Sequence, residues 1–223
     1  MERIAVGGVT LAYDVRGDGP PMVLLHGLGE RASGWDPVRP ALAADHTTYA
    51  VDLRGHGDSD WPGVYSHDVI EADVTGLLDR LGLTRVVLVG HSMGGSVAFR
   101  IAAHRPDLVG RLVIEDVIPP FPRTRPIPER PGRELDFDWA AVPALMAEAS
   151  THDTSAWADL ARIAAPTLVV SGGTASHLPD ERVAEVVRVI PECDLVTIEA
   201  GHHVHAGEPS EFADVVLGWL RPA

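Results

Sequence analysis

The ten residues from Val86 to Gly95 (VVLVGHSMGG) constrain the fold of this 223-residue chain more than any other stretch. Four apolar residues, three of them β-branched, begin the stretch and are typical of a strand buried in a parallel sheet. A Gly-x-Ser-x-Gly sequence follows at once, and apolar residues then recur at helical spacing from Val97. A serine on a sharp turn between a strand and a helix predicts a nucleophile elbow, which exposes the hydroxyl of Ser92 at the end of the strand. The alternative is an ordinary turn rich in glycine and serine.

Strand-like and helix-like segments alternate along the rest of the chain. Two short strand-like runs surround Gly7-Gly8 and predict a hairpin. Helical periodicity is clearest over 69–81, and Gly82 ends it. The alternation predicts an α/β fold with a mostly parallel central sheet, helices on both faces and a ligand beyond the carboxyl ends of the strands. Further strands are predicted at 22–25, 47–51, 112–114, 167–170 and 195–198, and further helices at 35–44, 181–189 and 212–220.

Residues 117–162 interrupt this alternation. The run from Ile118 to Pro131 contains six prolines and is therefore expected to be extended or irregular. Two short helices are expected after it, at 139–149 and 155–163. We predict a single domain, residues 1–223, in which this insertion is a short lid over the carboxyl ends of the strands.

Charge and composition exclude several classes of partner. The formal net charge of −14 opposes binding to nucleic acid or to an anionic membrane. The single cysteine, Cys193, excludes an intrachain disulfide. No signal-peptide region or membrane-length apolar run is evident, so we expect a soluble, cytoplasmic protein. The expected partner is a small-molecule substrate, and the oligomeric state stays open.

Ser92 needs a general base, because its hydroxyl is a weak nucleophile without one. His202 is the first candidate, because it follows the last predicted strand and fits the chain order serine, acid, histidine. His203 and His205 are neighbouring alternatives, and His205 is expected to brace the loop or line the pocket. The triplet also has the appearance of a metal-binding fragment. Its spacing fits no common site and no carboxylate partner is evident, so we predict no metal.

Attack of Ser92 on a carbonyl group would create an oxyanion, which needs two preorganised N–H donors. We assign one to Met93, the residue after the serine, and the other to Leu28, in the loop after the 22–25 strand. Loss of one such donor costs about 2.7–4 kcal/mol of transition-state stabilisation. We expect His26 to hold this loop by hydrogen bonds.

Four motifs carry a resemblance that spans nearly the whole chain: His26-Gly27, DLRGHGDS over 52–59, GHSMGG over 90–95, and Gly201-His202. With them the sequence resembles the α/β-hydrolase fold superfamily, in the branch with haloperoxidase-like esterases, C–C hydrolases and proline iminopeptidases. The resemblance implies a serine–histidine mechanism without a cofactor and says little about the substrate. Dehalogenases and epoxide hydrolases of this fold use an aspartate nucleophile, which Ser92 argues against.

The acid of the expected catalytic triad is where the sequence departs from the superfamily. Relatives carry it in a Gly-x-x-Asp-x-x-x-Pro pattern after the strand equivalent to 167–170. This chain has Ala175 at the aspartate position. The next carboxylate, Asp180, is expected to begin the following helix and to point away.

We therefore assign the acid to Asp116, which ends the preceding predicted strand and matches a position that certain lipases of the superfamily use. Its neighbour Glu115 should point to the other face of the sheet, because side chains alternate along a strand. Two alternatives stay open. In the first, Asp116 only caps its own loop or forms hydrogen bonds within it. In the second, Ser176 or His177 contacts His202 in a weakened triad.

The predicted activity is hydrolysis of an ester, lactone or thioester through an acyl-enzyme on Ser92. The short lid favours an open pocket. A C–C hydrolase, a lyase or a cyclase would use the same serine and histidine. A ligand-binding protein is the non-enzymatic alternative, which the absence of an aspartate at 175 favours. The predicted pocket residues are His26, Trp139, Met146 and His205, with Leu145 and Trp157 as further candidates for the pocket or the core.

Overall fold

Eight strands form one sheet in the computed structural model, which describes residues 1–122, 126–151 and 154–221. The strands are β1 (Glu2–Val6), β2 (Val9–Arg16), β3 (Pro21–Leu25), β4 (Thr47–Asp52), β5 (Val86–His91), β6 (Val109–Glu115), β7 (Thr167–Ser171) and β8 (Cys193–Thr197). Their order across the sheet is β1-β2-β4-β3-β5-β6-β7-β8. The β1–β2 hairpin and the β2–β4 pair are antiparallel, and every other pair is parallel. The predicted α/β architecture is confirmed.

The helices of the described ranges are α1 (Arg39–Leu42), α2 (His67–Leu81), α3 (Met93–His104), α4 (Ala141–Ala149), α5 (Thr154–Leu160), α6 (Asp180–Val189), α7 (Val204–Gly207) and α8 (Pro209–Leu220). Their ends follow local rules. At the start of α2 the Ser66 hydroxyl accepts the Val69 N–H, and the helix ends at Gly82 with φ of 66°. None of these helices combines the length and apolar character that a membrane crossing requires.

The helix predicted over 35–44 is much shorter than expected. A 3-10 turn occupies Ala32–Trp35, and regular helix is limited to α1. Pro37 and Pro40 lie inside the predicted span, and proline lacks the N–H that a helix interior requires. The apolar spacing therefore predicted correctly which side chains are buried, whereas the prolines limited the length of the helix.

The apolar core lies on both faces of the sheet, as the alternation along β5 requires. Val86 and Leu88 pack on one face with residues of α2 and α3, and Val89 packs on the other with Trp35 and Phe212. Because both faces are covered, the open positions for a ligand lie at the carboxyl ends of the parallel strands.

The segment between β6 and β7 contains the predicted insertion. Its described parts have no helix or strand at 117–122 and 126–136, which agrees with the run of prolines. The predicted helices at 139–149 and 155–163 correspond to the shorter α4 and α5. Residues 123–125 and 152–153, which the insertion includes, lie outside the described residues.

Candidate active site

The backbone of Ser92 has a strained conformation between β5 and α3, with φ of 50° and ψ of −115°. Positive φ is costly for a residue with a side chain, and such strain concentrates at functional sites. The glycines of the motif make the turn possible. A side chain at Gly94 would collide with the carbonyl oxygen of Leu25, and one at Gly90 would collide with that of Gly94. The strand, turn and helix therefore present the serine as the nucleophile-elbow prediction requires.

A chain of hydrogen bonds joins Ser92 to two residues that are distant in sequence. The Ser92 hydroxyl lies 3.0 Å from Nε2 of His202, and Nδ1 of His202 lies 2.7 Å from Oδ2 of Asp116. The carboxylate can only accept, so His202 donates from Nδ1 and accepts from the serine at Nε2. This tautomer leaves Nε2 ready to take the serine proton.

The buried carboxylate of Asp116 accepts three described hydrogen bonds, and the backbone N–H of the same residue donates a fourth. Its Oδ1 accepts the Gly172 N–H at 2.9 Å, and its Oδ2 accepts the Ser176 hydroxyl at 2.7 Å as well as His202. Its own N–H donates to the Val170 carbonyl at 2.8 Å. Burial alone would raise the pKa of this carboxyl, but hydrogen bonds from His202, Ser176 and Gly172 hold the pKa below its usual range. Asp116 therefore stays ionised opposite His202.

The segment after β7, where the resemblance places the acid of relatives, contains no carboxylate that contacts His202 among the described residues and instead supports Asp116. Ala175 has no polar side-chain atom, and the next residue, Ser176, donates its hydroxyl to Asp116. The ring of His177 packs edge-on against His202, with centroids 4.4 Å apart. Asp180 begins α6, as expected. Ser176 is therefore not the direct partner of His202 that one alternative predicted; its hydroxyl contacts the carboxylate that pairs with that histidine.

The loop after β3 is held by side chains from two directions. The Gly27 N–H donates to Oε2 of Glu30 at 2.9 Å, and the Gly29 N–H donates to Nε2 of His56 at 3.1 Å. The N–H groups of Leu28 and Met93 make no hydrogen bond among the described residues, although both residues line the cavity that contains Ser92. Two unpaired donors beside the serine are what an oxyanion-binding site requires.

His26 holds this loop in place. Within the described residues it does not line either cavity beside Ser92, so the prediction that it is a pocket residue is wrong. The ring is fully buried. Its Nδ1 lies 2.7 Å from the Gly27 carbonyl, and its Nε2 accepts the Leu53 N–H at 3.0 Å. Burial, together with nearby His56, holds the pKa of His26 well below its usual range, so the ring is neutral. The hydrogen bonds that Glu30 and His56 make to this loop were not predicted, although His56 lies in a quoted motif and Glu30 lies close to one.

Two cavities meet at Ser92 and share Leu28, Met146 and His202 as lining residues. The smaller, of about 120 Å³, extends between apolar residues that include Val117, Ile118 and Leu145. The larger, of about 550 Å³, lies on the side of Glu30, His91, His203 and the prolines at 126 and 128. The predicted open pocket and the predicted positions of Met146 and Leu145 agree with this arrangement.

Two other predicted pocket residues lie elsewhere. In the described part of the chain, buried His205 does not line either cavity, and its Nδ1 pairs with Glu115 at 2.8 Å. Its ring stacks on Trp35 at 4.2 Å. Among the described residues, Trp139 is not part of either cavity wall and instead packs near Phe137. His205 follows His202 by three residues, but the turn into α7 directs it into the core.

Imidazole and carboxylate groups are concentrated around the serine. Within the described ranges, three sets of side chains bring possible metal-ligand atoms within 4.8 Å of one another. The sets are Glu30–His91–His203, His91–Glu115–His205 and Asp116–His177–His202.

Comparison with known proteins agrees with the fold. A family model described as the alpha/beta hydrolase fold matches residues 20–144. An sn-1-specific diacylglycerol lipase of Danio rerio is 27% identical over 96% of this chain and 83% of its own length. An esterase of Mycobacterium tuberculosis is 28% identical over 99% of this chain and 89% of its own length.

A solved structure supports the same fold. A thermophilic esterase from Thermogutta terrifontis superimposes with a TM-score of 0.83 at 25% identity, covering 99% of this chain and 98% of its own. The family match covers more than half of the chain and includes the turn that carries Ser92. This protein therefore belongs to the alpha/beta hydrolase fold family.

Proposed function

We propose that this protein is a serine hydrolase that cleaves an ester-type bond, in an ester, a lactone or a thioester. The observation that carries the proposal is the continuous hydrogen-bond chain from Ser92 through His202 to Asp116, with distances of 3.0 and 2.7 Å. A nucleophile, a base and an orienting carboxylate in this geometry are the recurring apparatus of acyl transfer. Similarity to esterases and to a diacylglycerol lipase supports the same class.

In the proposed reaction, Ser92 Oγ attacks the carbonyl carbon while His202 Nε2 takes its proton. Asp116 stabilises the imidazolium that forms. The developing oxyanion accepts hydrogen bonds from the N–H groups of Leu28 and Met93, which have no described partner in its absence. His202 then returns the proton to the leaving group. Water, activated by the same histidine, releases the acid from the acyl-enzyme.

The cavities support a substrate of modest size. The walls of the smaller cavity include Val117, Ile118 and Leu145, which suit a short apolar group. The larger cavity has room for a bulkier group on the other side of the scissile bond. We therefore assign the short acyl group to the smaller cavity and the leaving group to the larger one.

Turnover of p-nitrophenyl acetate and butyrate tests the proposal. We expect a burst of p-nitrophenol from the wild type and a loss of at least about 10³-fold in Ser92→Ala. Ser210→Ala, which alters an exposed serine of α8, is the matched control and should retain activity. A fluorophosphonate probe should label the wild type and Ser210→Ala, and leave Ser92→Ala unlabelled.

Two results would contradict the proposal. Equal rates for the wild type and Ser92→Ala on every ester would remove the esterase activity, and absence of fluorophosphonate labelling would favour the ligand-binding alternative. Strong labelling with faster turnover of vinylogous diketones than of aryl esters would instead indicate a C–C hydrolase.

A further inference from the structure

His91, the residue before Ser92, is a buried histidine whose side chain is 1% exposed. Among the described residues, its Nδ1 has no hydrogen-bond partner. The imidazole ring of His91 lies between the carboxylates of Glu30 and Glu115. Nδ1 is 3.7 Å from Oε1 of Glu115, and Nε2 is 3.8 Å from Oε1 of Glu30, both beyond hydrogen-bond distance. A buried polar group in this state is costly and calls for an explanation.

The Nε2 side of His91 faces a second imidazole as well as Glu30. His203 Nε2 lies 2.9 Å from Oε1 of Glu30, and the three ligand atoms all lie within 4.8 Å of one another. Zinc bonds of about 2.0–2.1 Å in a tetrahedral arrangement hold ligand atoms about 3.4 Å apart. The separations of 2.9 and 3.8 Å lie on either side of this value, so small side-chain adjustments would complete the ligand set.

We propose that Glu30, His91 and His203 bind a divalent transition-metal ion of the zinc type. Two imidazole nitrogens and one carboxylate oxygen suit zinc and its neighbours, whereas magnesium and calcium prefer oxygen ligands alone. His91 would contribute Nε2, the nitrogen that faces Glu30.

The surroundings supply the outer partner that metal-bound histidines commonly have. When Nε2 binds a metal, Nδ1 carries the proton and normally donates it to a carboxylate or carbonyl. Glu115 lies on that side of His91 and is itself held by the His205 side chain and backbone N–H. Closing 3.7 Å to hydrogen-bond distance would give His91 the partner that it now lacks.

Access favours this set over the other two. The side chain of His203 is 56% exposed and that of Glu30 is 20% exposed. Both line the 550 Å³ cavity together with His91 and Ser92. The His91–Glu115–His205 set is buried throughout, and the remaining set uses Asp116 and His202, which already bond to each other. An ion at Glu30, His91 and His203 would therefore enter from the cavity and share it with the substrate.

Isothermal titration calorimetry of EDTA-treated protein with ZnCl₂ tests the site. Measuring Ser92→Ala alongside the wild type separates metal binding from the proposed hydrolysis. We expect one site in both proteins, unaffected by a large excess of Mg²⁺. Glu30→Gln and His203→Gln should each weaken binding at least about tenfold, because each removes a ligand. The exposed position of His203 makes its substitution compatible with folding.

His177→Gln is the matched control, because it removes a neighbouring histidine that belongs to the competing set. It should leave zinc affinity unchanged. Loss of binding in His177→Gln but not in His203→Gln would overturn the proposal, as would titrations without a saturable site or displacement of zinc by Mg²⁺.

Co²⁺ gives a second readout. Bound cobalt should show the visible absorption bands of a low-coordinate site, and these should be absent from His203→Gln. Zinc should also slow p-nitrophenyl butyrate turnover of the wild type at the concentrations that saturate the site, and affect His203→Gln at least about tenfold less. Equal inhibition of the two proteins would mean that zinc acts elsewhere, and would overturn the proposed site.

Discussion

Two adjacent carboxylates at the end of β6, Glu115 and Asp116, each pair with a different histidine. Asp116 pairs with Nδ1 of His202 at 2.7 Å, and its neighbour Glu115 pairs with Nδ1 of His205 at 2.8 Å. Both carboxylates are buried, and both histidines come from the short segment after β8. The chemistry of the two pairs is thus nearly identical.

Their environments differ. The side chain of His202 is 24% exposed and reaches Ser92, whereas that of His205 is 2% exposed and stacks on Trp35 in the core. We propose a catalytic role only for the Asp116–His202 pair, because His202 contacts Ser92 and lines the cavity. The Glu115–His205 pair instead holds two chain segments together.

The largest expected effect is on the pair that reaches the serine. Asp116→Asn should lower kcat by about 10²- to 10⁴-fold, because an amide neither holds the required tautomer of His202 nor stabilises its imidazolium. Ester turnover and far-ultraviolet circular dichroism should be measured on the same samples. A folded Asp116→Asn protein with wild-type kcat would show that His202 has another partner.

Glu115→Gln should act mainly on stability. Replacing one member of a buried pair leaves the other with poorer hydrogen bonds, and we expect a loss of about 1–3 kcal/mol in the free energy of unfolding. Urea denaturation measures this loss. The decrease in kcat should be at least about tenfold smaller than that of Asp116→Asn. If Glu115→Gln were the more damaging of the two for turnover, the proposed division between the pairs would be wrong.

Ser176→Ala should have an intermediate effect on turnover. The Ser176 hydroxyl donates to Asp116 at 2.7 Å, and a hydrogen bond to a charged group is worth about 1.5–3 kcal/mol. Since Gly172 and His202 still hold the carboxylate, we expect about a tenfold fall in kcat with little change in KM. Ser176→Thr keeps the hydroxyl and should recover most of the activity. Equal losses in both variants would indicate a packing role.

The smallest effect is expected at a third pair, on the surface. His104 contacts Glu71 at 2.6 Å and is 38% exposed. Glu71 and nearby Asp159 raise the pKa of His104 above its unfolded value, near 6.5. Its stabilisation is therefore complete below that pH and disappears as the pH rises through the folded pKa.

Because solvent screens the His104 pair, we expect His104→Gln to cost less than about 1 kcal/mol at pH 5.5 and still less at pH 9. Urea denaturation of the variant and the wild type at both values measures the difference. A cost that grows with pH would contradict the assigned cause.

Much of the fold follows from local patterns in the sequence. Strand positions followed apolar runs of about five residues, and α2 began and ended at Ser66 and Gly82, because these signals act over a few residues. The prediction of a helix over 35–44 was wrong for most of its length. The apolar spacing is helical, but two prolines limit the regular helix to α1.

The candidate site was predictable only in part. Ser92 was identifiable from its own ten-residue context, and His202 from its position after the last strand. The hydrogen-bond chain brings both together with Asp116. His26 was expected both to hold its loop and to line the pocket, and His205 to brace its loop or line the pocket. The sequence could not decide between these roles, because the partners that fix the two rings, Leu53 and Glu115, are distant in the chain.

By itself the sequence determined the alternation of strands and helices and the serine turn between β5 and α3, because both depend on neighbours in the chain. Only the tertiary structure decided which carboxylate meets which histidine. Ser176 reaches Asp116 across 60 residues, and Glu30 reaches His203 from a loop at the other end of the chain. These contacts depend on where the ends of strands that are distant in sequence meet at one edge of the sheet, a geometry that no local pattern records.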